Sequence, residues 1–155
     1  MNTRIQIDQM VPQVFNAMYN LETHMQDSKL NKSHIELIKI RASQINSCAF
    51  CIDMHTKDAL KNGESVQRIM LLDAWKEAGL YSEEEEIILQ MTEEVTLIHQ
   101  QGLSDATYQK ALDHFDEEYV ALLIMMIVTI NAWNRMSIAT QIPVPHTATA
   151  AVDHA

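Results

Sequence analysis

An all-α fold is predicted for this 155-residue chain by three observations. It holds only three Gly and three Pro, too few for the many turns of a β-sandwich or barrel. Good helix formers (Ala, Leu, Met, Gln, Glu and Lys) dominate instead. Apolar residues such as Met10, Phe15, Met18, Leu21 and Met25 recur at helical spacing rather than alternating. With 47% hydrophobic residues the chain can bury a core without disulfide staples. Residues 1–142 read as a single domain and 143–155 as a C-terminal tail, frayed or laid on a neighbouring subunit.

The elements follow closely on one another. A first amphipathic helix is expected over 8–26, with Pro12 tolerated in its first turn. A second is expected from Ser33, where Ser33 and Glu36 fit the S-x-x-E capping box and Ile35, Ile38, Ala42 and Ile45 make the inner stripe. Asn46 and Ser47 favour a break, starting a third helix over 48–61 that ends at Asn62-Gly63. A short helix over 65–73 precedes a stop at Gly79. Ser82 and Glu85 form another capping box for a helix reaching His99. Gly102 ends that segment, and Ser104 or Asp105 opens the next. A final long helix spans 116–138, before the tail that begins at Pro143.

Eleven Lys+Arg against twenty-one Asp+Glu give a net charge of −10, which offers nothing to collect phosphates, so nucleic acid is not an expected partner. The opening MNTRIQIDQM lacks the apolar core of a signal peptide. The longest apolar run, 119–128, falls well short of the roughly twenty residues of a membrane span. A cytoplasmic protein off the membrane is therefore expected, with its thiols kept reduced. In that setting Cys48 and Cys51 point to metal or redox chemistry sooner than to a structural staple. The same run is apolar nearly all round, more than one small subunit can cover, so a homo-oligomer is expected.

The segment Glu36 to His55 carries the chemistry. On one helix Cys48, Cys51 and His55 stand at i, i+3 and i+7, within an arc of about 60°. Two thiols so spaced can close into a disulfide, and a helix N-terminus favours a thiolate, more at Cys48 than at Cys51. His55, one turn beyond Cys51, is placed to exchange a proton with it. Glu36 and His55 lie roughly 15 and 14 Å from a bend at Asn46, so an antiparallel hairpin brings them level. There Glu36 could orient the imidazole or take the proton itself, although a purely capping role with Ser33 fits equally well.

Blander readings apply elsewhere. Free cysteines are often plain core residues. A zinc site lacks a second Cys/His pair, and the cysteines open a helix rather than a loop knuckle, so no metal is expected. A thioredoxin-like site would follow a strand, and none is evident. Glu83 to Glu86 suit the positive end of a helix dipole, and the ten Met are core fillers. His24, His34, His99 and His114 are scattered and read as surface residues.

Glu36, Lys39, Arg41-Ala-Ser-Gln-Ile-Asn46 and Cys48-x-x-Cys51-x-x-x-His55 together resemble the core motif of the AhpD-like alkylhydroperoxidases of the carboxymuconolactone decarboxylase superfamily. Weaker similarity reaches Trp75-Lys-Glu and Asn131-Ala-Trp133-Asn134-Arg135. The resemblance implies a helical subunit with a central hairpin carrying C-x-x-C, assembled as trimers or hexamers. It implies a peroxidase in which Cys51 attacks the peroxide, Cys48 resolves the sulfenic acid, and Glu36 and His55 relay protons. No haem, flavin or metal is implied, and an external thiol system of lipoyl or thioredoxin type would be the reductant. Where the best-known member has a histidine before the second cysteine, this chain has Phe50. Two alternatives stand beside this reading: a lyase of the decarboxylase branch, and a non-enzymatic oligomeric redox or stress-response protein.

Overall fold

The computed structural model describes residues 4–146, and every regular element among them is helical. Helices α1 (Ile7–Met10) and α2 (Pro12–Gln26) replace the single helix expected over 8–26. Val11 sits at φ −137° and ψ 62° between them. Pro12 pushes its predecessor out of the helical region and offers no N–H to the preceding turn, so it opens a new helix instead of joining the old one.

Helix α3 (Lys32–Ile45) starts earlier than the Ser33 capping box requires. Asn31 is its N-cap, its side chain accepting from the Ser33 backbone N–H at 2.9 Å. Asn caps as well as Ser does, and with the cap at Asn31, Glu36 lies too far along the helix to close a box. The capping role considered for Glu36 is therefore overturned.

Helix α4 (Ala49–Lys61) has Cys48 as its N-cap, so the expected hairpin of 33–45 and 48–61 forms. The bend is a Schellman turn. Cys48 N–H donates to the Ser43 carbonyl and Ser47 N–H to the Gln44 carbonyl, both at 3.0 Å, with Ser47 left-handed at φ 57°. The short helix expected over 65–73 is α5 (Val66–Leu71) followed by a 3₁₀ turn (Leu72–Ala74) and α6 (Trp75–Ala78), closed by Gly79 at φ 59°. Helix α7 (Glu83–Thr96) carries the Ser82/Glu85 capping box and stops three residues short of His99. Ser104 caps α8 (Asp105–His114), and Asp116 caps α9 (Glu117–Thr140). Residues 143–146 of the tail are neither helix nor strand, and 147–155 lie outside the described residues.

Helix α3 is the hub, packed against α4, α7 and α9. Ile35, Ile38 and Ala42 enter one apolar core with Ile88, Met91, Leu123, Met126 and Ile127. Leu37 and Ile40 enter a second with Ala59, Leu72, Trp75 and Leu89. Its remaining face, Glu36, Lys39 and Ser43, is polar yet buried. His34, expected at the surface, is buried as well, its Nδ1 hydrogen-bonded to the Tyr119 hydroxyl at 2.8 Å.

By length and composition α9 is apolar enough to cross a membrane. Within the subunit it packs against α2, α3, α4, α7 and α8 and buries Asn131, Asn134 and Ser137, as a core helix does. Asn46 Nδ2 donates to both Asn131 Oδ1 and Asn134 Oδ1 at 2.9 Å, and Asn134 Nδ2 donates to Ser43 Oγ at 2.9 Å. These bonds tie the cysteine-bearing bend to α9. Replacing Asn46 with Ala strands the Asn134 acceptor and should cost about 1–3 kcal/mol. At this chain length that lowers Tm by about 2–4 °C per kcal/mol, and an unchanged melting curve would show that the network holds nothing.

Candidate active site

The bend between α3 and α4 places Cys48 at the N-cap and Cys51 in the first turn of α4, joined as a disulfide with Cα atoms 5.3 Å apart. Both are buried. Cys51 lines a cavity of about 430 Å³, and Cys48 does not. Glu36 and His55 line the same cavity, so the hairpin does bring them level: His55 Nδ1 and Glu36 Oε2 are 3.7 Å apart. That is too long for a hydrogen bond. Glu36 Oε2 is buried and has no hydrogen-bond partner among the described residues.

Their surroundings keep both groups uncharged in weak acid. Burial raises the Glu36 carboxyl to about 7, although the nearby Lys39 charge opposes the rise. Burial, helped by Lys39, pushes the His55 imidazole down to about 4. Around neutrality the site thus holds a carboxyl poised to give or take a proton beside a neutral imidazole.

Lys39 and Glu22 complete the polar end of the cavity and were not singled out by spacing to the thiols. Lys39, one turn after Glu36, is 2% exposed and is ion-paired to Glu22 of α2. Glu22 also accepts from Trp133 Nε1 and Gln26 Nε2, each at 3.1 Å. Burial alone would raise its carboxyl, but Lys39 and the Gln26 bond hold it below the usual carboxylate range. Lys39 stands next to the stripe residue Ile38 and within the motif that carries the family resemblance, which was the available signal for it. The other end of the cavity is apolar, walled by Phe15 and Tyr19 of α2, Phe50 and Met54 of α4, and Trp133 and Met136 of α9. Phe50 therefore serves as wall where a histidine could have titrated.

An all-helical chain with a buried Cys48–Cys51 disulfide, and with Cys51, a poised carboxyl and a neutral imidazole lining one cavity, has the architecture of the AhpD-like proteins. Comparison with known proteins agrees. The model of the Carboxymuconolactone decarboxylase family matches residues 11–94. YdfG of Bacillus subtilis (strain 168), itself uncharacterized, is 45% identical over 139 residues, covering 90% of this chain and 95% of that one. The crystal structure of ATU0492 from Agrobacterium tumefaciens, a protein of unknown function with a provisional antioxidant-defence (AhpD) designation, superposes with a TM-score of 0.91. It is 37% identical and covers 94% of this chain and all of its own. The debrominase Bmp8 shares the fold, with a TM-score of 0.77 at 15% identity over 86% of this chain and 72% of its own. The chain belongs to the carboxymuconolactone decarboxylase family, as an AhpD-like member.

The two shifted groups make opposite contributions to stability. Glu36 titrates at about 7 in the folded chain against 4.5 when free, so the folded state holds that proton longer and loses stability as pH rises between those values. His55, at about 4 against 6.5, does the reverse, and stability rises across its interval. Glu36→Gln removes the first contribution only. Urea unfolding at stepped pH should show the variant gaining on wild type from pH 5 to above 7, by up to about 3 kcal/mol. A pH-independent difference would contradict the raised carboxyl.

Proposed function

We propose that the protein is a thiol-dependent peroxidase acting on organic hydroperoxides, with Cys51 as the attacking thiol and Cys48 as the resolving one. The observation that carries this reading is that Cys51, and not Cys48, lines the cavity it shares with the unpartnered Glu36 carboxyl and neutral His55. The helix dipole alone favours a thiolate at Cys48, but peroxide attack also requires access, and the cavity gives that to Cys51.

In the reduced protein Glu36, directly or through His55, takes the Cys51 proton. The thiolate attacks the distal peroxide oxygen, the O–O bond breaks, and the departing alkoxide takes a proton back from Glu36. Cys51 is left as a sulfenic acid. The Cys48 thiolate then attacks its sulfur, hydroxide leaves with the Cys48 proton as water, and the disulfide seen in the structure forms. Two electrons pass from the thiols to the peroxide. An external dithiol of lipoyl or thioredoxin type restores them by exchange, and no metal or organic cofactor enters a step. A lyase of the decarboxylase branch would need a free cation for its substrate carboxylate, and Lys39 is already committed to Glu22.

Cys48→Ser should react once with peroxide and trap a sulfenic acid at Cys51, seen as a dimedone adduct by mass spectrometry. Cys51→Ser should not react comparably, and Glu36→Gln or His55→Ala should slow the first step by roughly 10²–10⁴-fold. An adduct on Cys48 in the Cys51→Ser protein would reverse the two roles. No adduct in any form would end the peroxidase reading.

Self-association belongs to the same proposal, as trimers or hexamers. Met125 and Val128 stand one turn apart on α9 and are 40% and 45% exposed, and Ile98 beyond the end of α7 is exposed too. Light scattering at micromolar concentration should give a multiple of the 17.7 kDa chain mass, and a monomer would contradict it.

A further inference from the structure

The cavity lining combines titratable groups with a large apolar wall. Its apolar end places four aromatic rings from three helices around one space: Phe15 and Tyr19, Phe50, and Trp133, with Phe15 and Trp133 edge to face at 5.6 Å between centroids. About 430 Å³ suits a small organic molecule rather than hydrogen peroxide alone. Among the described residues its lining contains one Lys or Arg, Lys39, and that cation is neutralised by Glu22. Glu22 is held in place by Trp133 and Gln26, so it cannot turn away to release the ammonium for a ligand. The other charged group on the wall is Asp58, an acid, and Glu36 becomes an anion as it loses its proton. An anion entering this space would lose part of its water and meet no free positive partner among the described residues, which is costly.

We infer that the cavity selects uncharged organic hydroperoxides with a compact ring-bearing body, and that the Glu22–Lys39 pair is the device that excludes carboxylate-bearing ones. This rests on the peroxidase reading for the reaction, while the selection itself is a property of the cavity. The hydroperoxide group faces Cys51, Glu36 and His55, and the body lies among the aromatic rings. Trp133 has two parts in this: its ring walls the space, and its N–H pins the acid that occupies Lys39. Glu22 and Lys39 are thus specificity-determining residues rather than proton carriers.

The test needs no turnover. The product alcohol 2-phenyl-2-propanol, its para-carboxylate and its para-aminomethyl analogue are titrated into the disulfide form, and binding is read by calorimetry. The uncharged alcohol should bind at least tenfold more tightly than the carboxylate, with the cationic analogue between them. Glu22→Gln, which frees the Lys39 ammonium, should shrink the preference over the carboxylate by tenfold or more, and Lys39→Met should widen it. Equal binding of alcohol and carboxylate, or a carboxylate that binds better than the cation, overturns the inference on the wild-type protein alone, even if a variant fails to fold. So does a Glu22→Gln protein that folds with its selectivity unchanged. Cumene hydroperoxide and its para-carboxylate then separate the two readings. The binding order without peroxide consumption defeats the peroxidase reading and leaves the selection standing, whereas equal turnover of both hydroperoxides defeats the selection and leaves the peroxidase.

Discussion

Lys39 could not stay buried on α3 without Glu22, and much of the structure follows from how that pair is accommodated. Two faces of α3 are given to separate apolar cores, which leaves its third face, Glu36, Lys39 and Ser43, buried with polar groups to satisfy. Each member is handled differently. Lys39 takes a carboxylate from α2, and Ser43 takes the amide of Asn134 from α9. Glu36 Oε2 finds no partner among the described residues. An unpaired carboxyl inside a protein ordinarily counts as a defect, since a polar group without a hydrogen bond costs about 1–3 kcal/mol. Here it lines one cavity with Cys51 and stands 3.7 Å from the His55 imidazole.

The two polar anchors divide the labour of building the site. The ion pair joins α2 to α3 and sets the charge of the cavity's inner end. The asparagine network joins the α3–α4 bend to α9 and sets where the sulfurs lie. Both reach α9 through neighbouring residues, Trp133 and Asn134, on successive positions of one turn. The cysteine-bearing hairpin is therefore positioned from outside itself, by a helix distant in sequence that also forms the cavity wall.

Much of this was legible in the chain. The all-α class, the hairpin, the ends at Asn62-Gly63 and Gly79, and the caps at Ser82 and Ser104 follow from local chemistry that acts over a few residues. The Glu36–His55 juxtaposition followed from counting helical rise on either side of one bend, which works because both helices run unbroken to it. What was not legible depends on packing between distant segments. Asn31 outcompeted Ser33 as a cap, a choice between two good residues two positions apart that spacing does not decide. His34 looks like a surface residue until Tyr119, 85 positions away, is brought against it. Glu22 lies between stripe residues of α2, and nothing near it in sequence announces a lysine partner on the next helix.

The three-residue separation of Cys48 and Cys51 bears on how much of the chain their bond constrains. A cross-link stabilises a fold chiefly by restricting the unfolded chain, and the restriction grows with the length of loop it closes. This one closes a single turn at the mouth of a helix whose ends are already held by the Schellman bend and by Gly63. By that measure the closed turn is worth about 2 kcal/mol, the low end of what a disulfide contributes. The folded scaffold therefore depends on this bond less than it would on one closing a long loop, and a change in the oxidation state of the sulfur pair is felt mainly within one turn.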